Sequence, residues 1–105
     1  FFSTFFKETT MIGKKVIVRA TEAGVFFGTL KEKNGNEVVL SHARKLHYWE
    51  GAGAVEGLAV DGVSKPNSCR FTVWVENICV KDWNQIIPCT EKASEIIEGV
   101  KEWKC

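Results

Sequence analysis

Few side chains in this sequence carry obvious chemistry. There are two histidines, His42 and His47, and four cysteines, Cys69, Cys79, Cys89 and Cys105. The odd separation of the histidines would put them on opposite faces of a shared strand. A dyad of Cys69 or Cys89 with a histidine would need the fold to bring the partners together. No nucleophile elbow, phosphate loop, dinucleotide fingerprint or zinc-protease helix is present. No two cysteines stand closer than ten residues, whereas zinc sites usually present a closely spaced pair on one loop. The expectation is no catalytic residue, no metal and no cofactor, hence not an enzyme. The thiols are expected to be reduced, some serving as small core residues.

Binding chemistry is better represented. Arg19 and Arg44 offer rigid forks of donors that suit phosphate or carboxylate. Tyr48 and Trp49 offer flat faces that stack on a base or sugar ring. A small nucleotide ligand needs both kinds of group, so these four are the candidate ligand-binding residues. The competing expectation is that the arginines lie on solvated faces and the aromatics fill the core. The run W-E-G-A-G-A from Trp49 to Ala54 is built of small residues. It lets a backbone approach a ligand, a neighbouring subunit or the protein's own elements.

The bulk composition bounds these readings. A chain of 105 residues, 45% hydrophobic and 26% charged, makes one small domain with one core. Domains of this size are marginal, so self-association is expected. The formal net charge is +1, without the basic excess of a dedicated nucleic-acid binder. Nothing approaches the ~20 apolar residues of a membrane span, and no secretory signal is visible. Phe1, Phe2, Phe5 and Phe6 crowd the first six residues. Residues 1–10 are expected to be an extension or arm, with Met11 as a plausible natural start, and residues 11–105 a single β-rich domain. An exposed phenylalanine cluster favours aggregation, so Phe2, Phe5 and Phe6 are candidate interface residues.

Strands dominate the pattern. Lys15–Ala20 and Val25–Glu32 are rich in β-branched and aromatic residues. Gly28 within the second suggests a bulge or a close backbone approach. Asn34-Gly35 is a strong hairpin signal, with Glu37–Ser41 returning. Ala43–Trp49 reads as another strand, with Arg44, Leu46 and Tyr48 on one face. Val55, Leu58 and Ala59 have the spacing of a short helix. Arg70–Val75 reads as a strand with Phe71, Val73 and Val75 inward. That would turn Trp74 outward, where with Trp83 it would mark an interface. Cys79–Ile87 is a last strand, bent near Asp82. Thr90 caps a final helix whose stripe of Ala93, Ile96, Ile97 and Val100 packs on the sheet. The fold class is mainly β (α+β): a small curled sheet or barrel of five to six strands, with a short helical insert and a C-terminal helix.

Three stretches carry a resemblance: V-I-V-R-A-T-E-A-G-V-F-F-G-T-L, N-G-N-E-V-V-L-S-H-A-R-K-L-H-Y-W-E-G-A and I-I-P-C-T-E-K-A. In order and spacing they resemble a family of small bacteriophage proteins known as a domain of unknown function, DUF6948. The resemblance runs from about Lys15 to Trp103 and covers most of the chain. Recurrent family positions match Arg19, Ala23, Gly24, Gly28, Arg44, Trp49, Gly51 and Ala52. It implies a phage or prophage origin and a place in the host bacterial cytoplasm or the virion. The function expected is that of a non-enzymatic phage protein acting by binding or assembly, as a self-associating virion or accessory protein. Two alternatives stand beside it. One is a counter-defence protein that sequesters a host nucleotide second messenger, and the other is an inhibitor that binds a host protein. Expected partners are copies of itself, with phage structural proteins or a small nucleotide as candidates, and neither membrane nor nucleic acid.

Overall fold

A computed structural model describes residues 11–103. The expectations placed on Phe2, Phe5, Phe6 and Cys105 lie outside the described residues. The fold is mainly β, and the described residues form six strands: β1 (Lys15–Ala20), β2 (Gly24–Asn34), β3 (Glu37–Tyr48), β4 (Arg70–Phe71), β5 (Val75–Lys81) and β6 (Trp83–Pro88). Helix α1 (Val55–Asp61) lies between β3 and β4, and α2 (Glu91–Gly99) follows β6. The strands run antiparallel in the order β4–β3–β2–β1–β6, with β5 also on β3. The ladder is open, because no strand pairing joins its two ends among the described residues. A barrel closed by hydrogen bonds is therefore not formed. β5 and β6 are separated only by Asp82, which takes φ 56°. One continuous segment thus lies first along β3 and then along β1.

The two faces of the sheet carry two apolar clusters. One gathers Val16, Val18, Ala20, Phe26, Leu30, Val38, Leu40, Ala43 and Val80. The other sets Ile17, Phe27, Leu46 and Phe71 against the helices, through Leu58 and Ala59 of α1 and Ile97 of α2. The alternation Val16, Ile17, Val18 divides cleanly between the clusters, as strand geometry requires.

The hairpin forms one residue later than its sequence signal. Asn34 pairs with Glu37, so Gly35 and Asn36 are the central residues. Only Gly35 has a positive φ, 60°, the pattern of a type II′ turn rather than type I′. Gly28 faces a bulge, since the β2–β3 register shifts there and sets His42 and Ala43 opposite one residue. A Cβ on Gly28 would sit 2.7 Å from the Ala43 Cβ, so the close approach needs glycine.

The strand expected over Arg70–Val75 is broken. β4 stops at Phe71 and β5 begins at Val75. Thr72 still donates its N–H to Lys45 O (3.0 Å), but the Lys45 N–H goes to Thr72 Oγ1 (2.9 Å) and Thr72 O accepts from Arg44 Nε, so the main-chain ladder ends there. The inside–outside alternation therefore does not carry through to Trp74. In α2, Thr90 Oγ1 accepts the Ala93 N–H at 3.1 Å, and Ala93 and Ile97 are fully buried.

Candidate functional site

The bulge at His42 decides where the neighbouring side chains go. Val38 and Leu40 face one cluster, and so does Ala43. The extra residue flips the parity of the strand. Arg44 and Leu46 then face the helices. His42 takes φ 47°, a left-handed conformation that histidine tolerates better than most residues. Its ring lies parallel to Trp74 at 4.2 Å.

Arg44 is completely buried. Its Nε donates to Thr72 O (3.0 Å), and Nη2 to Phe71 O (3.2 Å). Nη1 donates to Ile97 O (3.1 Å) and Val100 O (2.9 Å). The rings of Trp74 and Phe71 lie 4.8 and 5.5 Å from the guanidinium carbon. Burial lowers the Arg44 pKa, and the charge of Glu102 opposes that shift. With its donors turned to backbone carbonyls, Arg44 is an internal staple and not a ligand fork.

The other expected binding residues are not brought together. Arg19 is exposed at the end of β1, where its charge reaches Glu56 of α1. The Glu56 pKa is lowered, chiefly by a backbone hydrogen bond and then by the Gln85 amide. Trp49 is half-buried against the helix-side cluster. The small-residue run following it approaches the protein's own loop, since a Cβ on Gly51 would lie 2.6 Å from Ser64 N. Tyr48 lines a cleft.

That cleft, about 470 Å³, is lined by Tyr48, Glu50, Asn67, Ser68, Cys69, Arg70 and Trp103. The β3–β4 register sets Arg70 opposite Tyr48. The Arg70 guanidinium sits 5.8 Å from the Tyr48 ring and 5.7 Å from the Trp103 ring. His47 stacks on Trp103 at 5.2 Å and 4°. The Tyr48 hydroxyl donates to Glu50 Oε2 at 2.9 Å, and this bond raises the Tyr48 pKa. Cys69 directs its thiol to Lys65 O at 3.4 Å. Among the described residues, no carboxylate or carbonyl takes an Arg70 N–H. Both rings lie within cation–π range of the guanidinium while its donor edge is unspent, an arrangement suited to an oxyanion.

The family model for a domain of unknown function (DUF6948) matches residues 13–97. The chain belongs to this family. No curated protein and no solved structure matches. The DUF6948 match contains Arg44, Tyr48, Glu50 and Arg70 but stops short of Trp103, so one wall of the cleft lies beyond it. Nothing in the sequence marks Arg70, Glu50 or Trp103 as binding residues. Only the pairing of Tyr48 with Arg70 and the return of the C-terminal segment to Phe71 bring them together.

The expected interface tryptophans are occupied within the domain. Trp74 is half-buried under His42, with its ring edge-on to Phe27 at 6.1 Å. Trp83 is half-buried and donates Nε1–H to Gly35 O at 3.1 Å. The exposed large apolar residues Ile12, Tyr48, Val60 and Val75 come from separate parts of the chain. No helix among the described residues is long and apolar enough to cross a membrane.

Proposed function

We propose that this chain is a non-enzymatic binding protein that takes a small anionic ligand of the nucleotide class in the Arg70 cleft. The observation that carries the reading is the Arg70 guanidinium, within cation–π range of Tyr48 and Trp103 and with its donor edge free of protein acceptors among the described residues. Arginine held in this way meets a phosphate with little loss of side-chain freedom. Glu50 makes the cleft bipolar and favours a ligand with an anionic end and a donor-bearing end, as a nucleotide has. Tyr48, 45% exposed, offers ring surface to a base. Cys69 turns its thiol toward a carbonyl, which supports binding rather than nucleophilic catalysis. In a phage setting the corresponding role is sequestration of a host nucleotide signal.

The self-assembly reading draws less support from Trp74 and Trp83, which are half-buried and make contacts within the domain. Calorimetric titration with nucleoside monophosphates and cyclic dinucleotides tests the choice. Binding that falls about tenfold or more in Arg70→Met, the scale of a lost charged hydrogen bond, supports the cleft. A ligand-free discrete oligomer with no nucleotide affinity would return the weight to assembly.

A further inference from the structure

Arg44 is buried where no ligand reaches it, yet its hydrogen bonds end on the two segments that build the Arg70 cleft. Phe71 O and Thr72 O directly follow Arg70. Ile97 O and Val100 O lie at the end of α2, and the chain from there leads to Trp103. The same segments meet again in a parallel bridge between Phe71 and Glu102. Trp103 N–H donates to Phe71 O at 2.8 Å, and Trp74 N–H to Glu102 Oε2 at 3.1 Å. Separate caps could satisfy the helix end and the loop independently. One planar fork that satisfies both also fixes the distance between them.

We propose that Arg44 is the positioning residue of the cleft: by clamping residues 71–72 to residues 97–100 it sets the spacing of Arg70 and Trp103, and so aims the donor edge that takes the anion. This rests on the Arg70 reading given above. Arg44 touches no ligand and acts through Arg70.

Inorganic phosphate is the probe, titrated into the isotope-labelled full chain and followed by NMR at the Arg70 Nε–H and the Trp103 indole N–H. Arg44→Lys keeps the charge but presents it as a compact point that cannot span the same carbonyls. Phosphate affinity is expected to fall about tenfold in Arg44→Lys, the scale of lost preorganisation. Val38→Ala, a truncation in the opposite cluster, is expected to bind like the wild type. Equal phosphate affinity in Arg44→Lys and wild type overturns the clamp.

If Arg44→Lys does not fold, the wild type decides. Coupling is reciprocal, so phosphate must slow hydrogen exchange at the Arg44 guanidinium, and unchanged exchange overturns the proposal. Arg70→Met separates the two claims. Phosphate shifts at the Trp103 indole, the probe that both variants keep, refute the Arg70 reading itself if they survive Arg70→Met or are absent from the wild type. Shifts lost in Arg70→Met but undiminished in Arg44→Lys refute only the clamp.

Discussion

A guanidinium removed from water needs its five N–H groups answered by the protein. For Arg44, four backbone carbonyls answer four of them. Two of them have a second donor, since Phe71 O also accepts from Trp103 N and Ile97 O from Val100 N. Arg44→Met would leave Thr72 O and Val100 O stranded in a dry site. The expected loss is about 3 kcal/mol, from two broken charged hydrogen bonds and the desolvation of the acceptors. Denaturant unfolding should show it as a lower midpoint with an unchanged slope. Cys89 gives a residue-scale test of reactivity. Burial pushes its thiol up to about 12, so it holds little of the nucleophilic thiolate. Iodoacetamide at mildly alkaline pH should therefore label the exposed Cys79 well before Cys89, as read by peptide mass mapping. Because the folded value is raised, the folded state retains the proton longer. The resulting stability is complete below the unfolded value of about 8.5 and is lost as pH rises toward 12. Cys89→Ser should flatten that alkaline loss in melts taken across the window.

At the scale of elements, the most informative contact is between Gly28 and the bulge. Gly28→Ala would drive a methyl to 2.7 Å from the Ala43 Cβ, at a cost of about 1–3 kcal/mol for overpacking. If that contact is the cause, Ala43→Gly in the same chain should recover part of the loss, and a double-mutant cycle measures the coupling. Thr90 offers a second case. Its hydroxyl oxygen accepts the Ala93 N–H and its O–H donates to Val60 O at 2.6 Å, so it caps α2 and ties it to α1. Thr90→Ala should cost about 1–2 kcal/mol in chemical denaturation. These same elements show what was legible in the sequence. β1, the hairpin, both helices, the glycine at the bulge and the Thr90 cap follow from local preference, because each is decided by its own residues. The break after Phe71 is not local, since the Lys45 N–H of β3 is taken by the Thr72 side chain and Thr72 O by the Arg44 guanidinium. β5 is not legible over Glu76–Ile78, where the polar, exposed Glu76 and Asn77 break the apolar alternation that marks a strand. The cleft was least legible. Arg70 and Tyr48 are neighbours only through the β3–β4 register, and no spacing in the chain announces that.

The whole molecule closes its helix-free face with the hairpin tip and the β5–β6 hinge. Asp82 N–H donates to Asn36 O at 2.7 Å, and the Asn36 side chain donates to Asp82 Oδ1 at 2.8 Å. Trp83 completes the closure. It packs against the cluster of Val16, Val38 and Leu40, bonds Gly35 O and carries Lys33 over its ring at 5.3 Å. Two roles for this indole make opposite predictions. If Trp83 were an interface residue, replacing it would weaken association and leave the monomer's stability little changed. If it is a latch between hairpin and hinge, replacing it lowers stability and leaves association alone. The intramolecular contacts favour the latch. Trp83→Phe keeps an aromatic body but loses the donor, at a cost of about 1 kcal/mol, or roughly 4–8 °C in a domain of this size. Trp83→Ala also loses packing and should cost more, though less than the ~3–5 kcal/mol of a fully buried tryptophan, because the ring is only half-buried. Thermal unfolding and native mass spectrometry on the same samples separate the roles. The latch predicts graded loss of melting temperature from wild type through Trp83→Phe to Trp83→Ala, at a constant mass distribution. A mass distribution that shifts toward smaller species at constant melting temperature would restore Trp83 to an interface between copies.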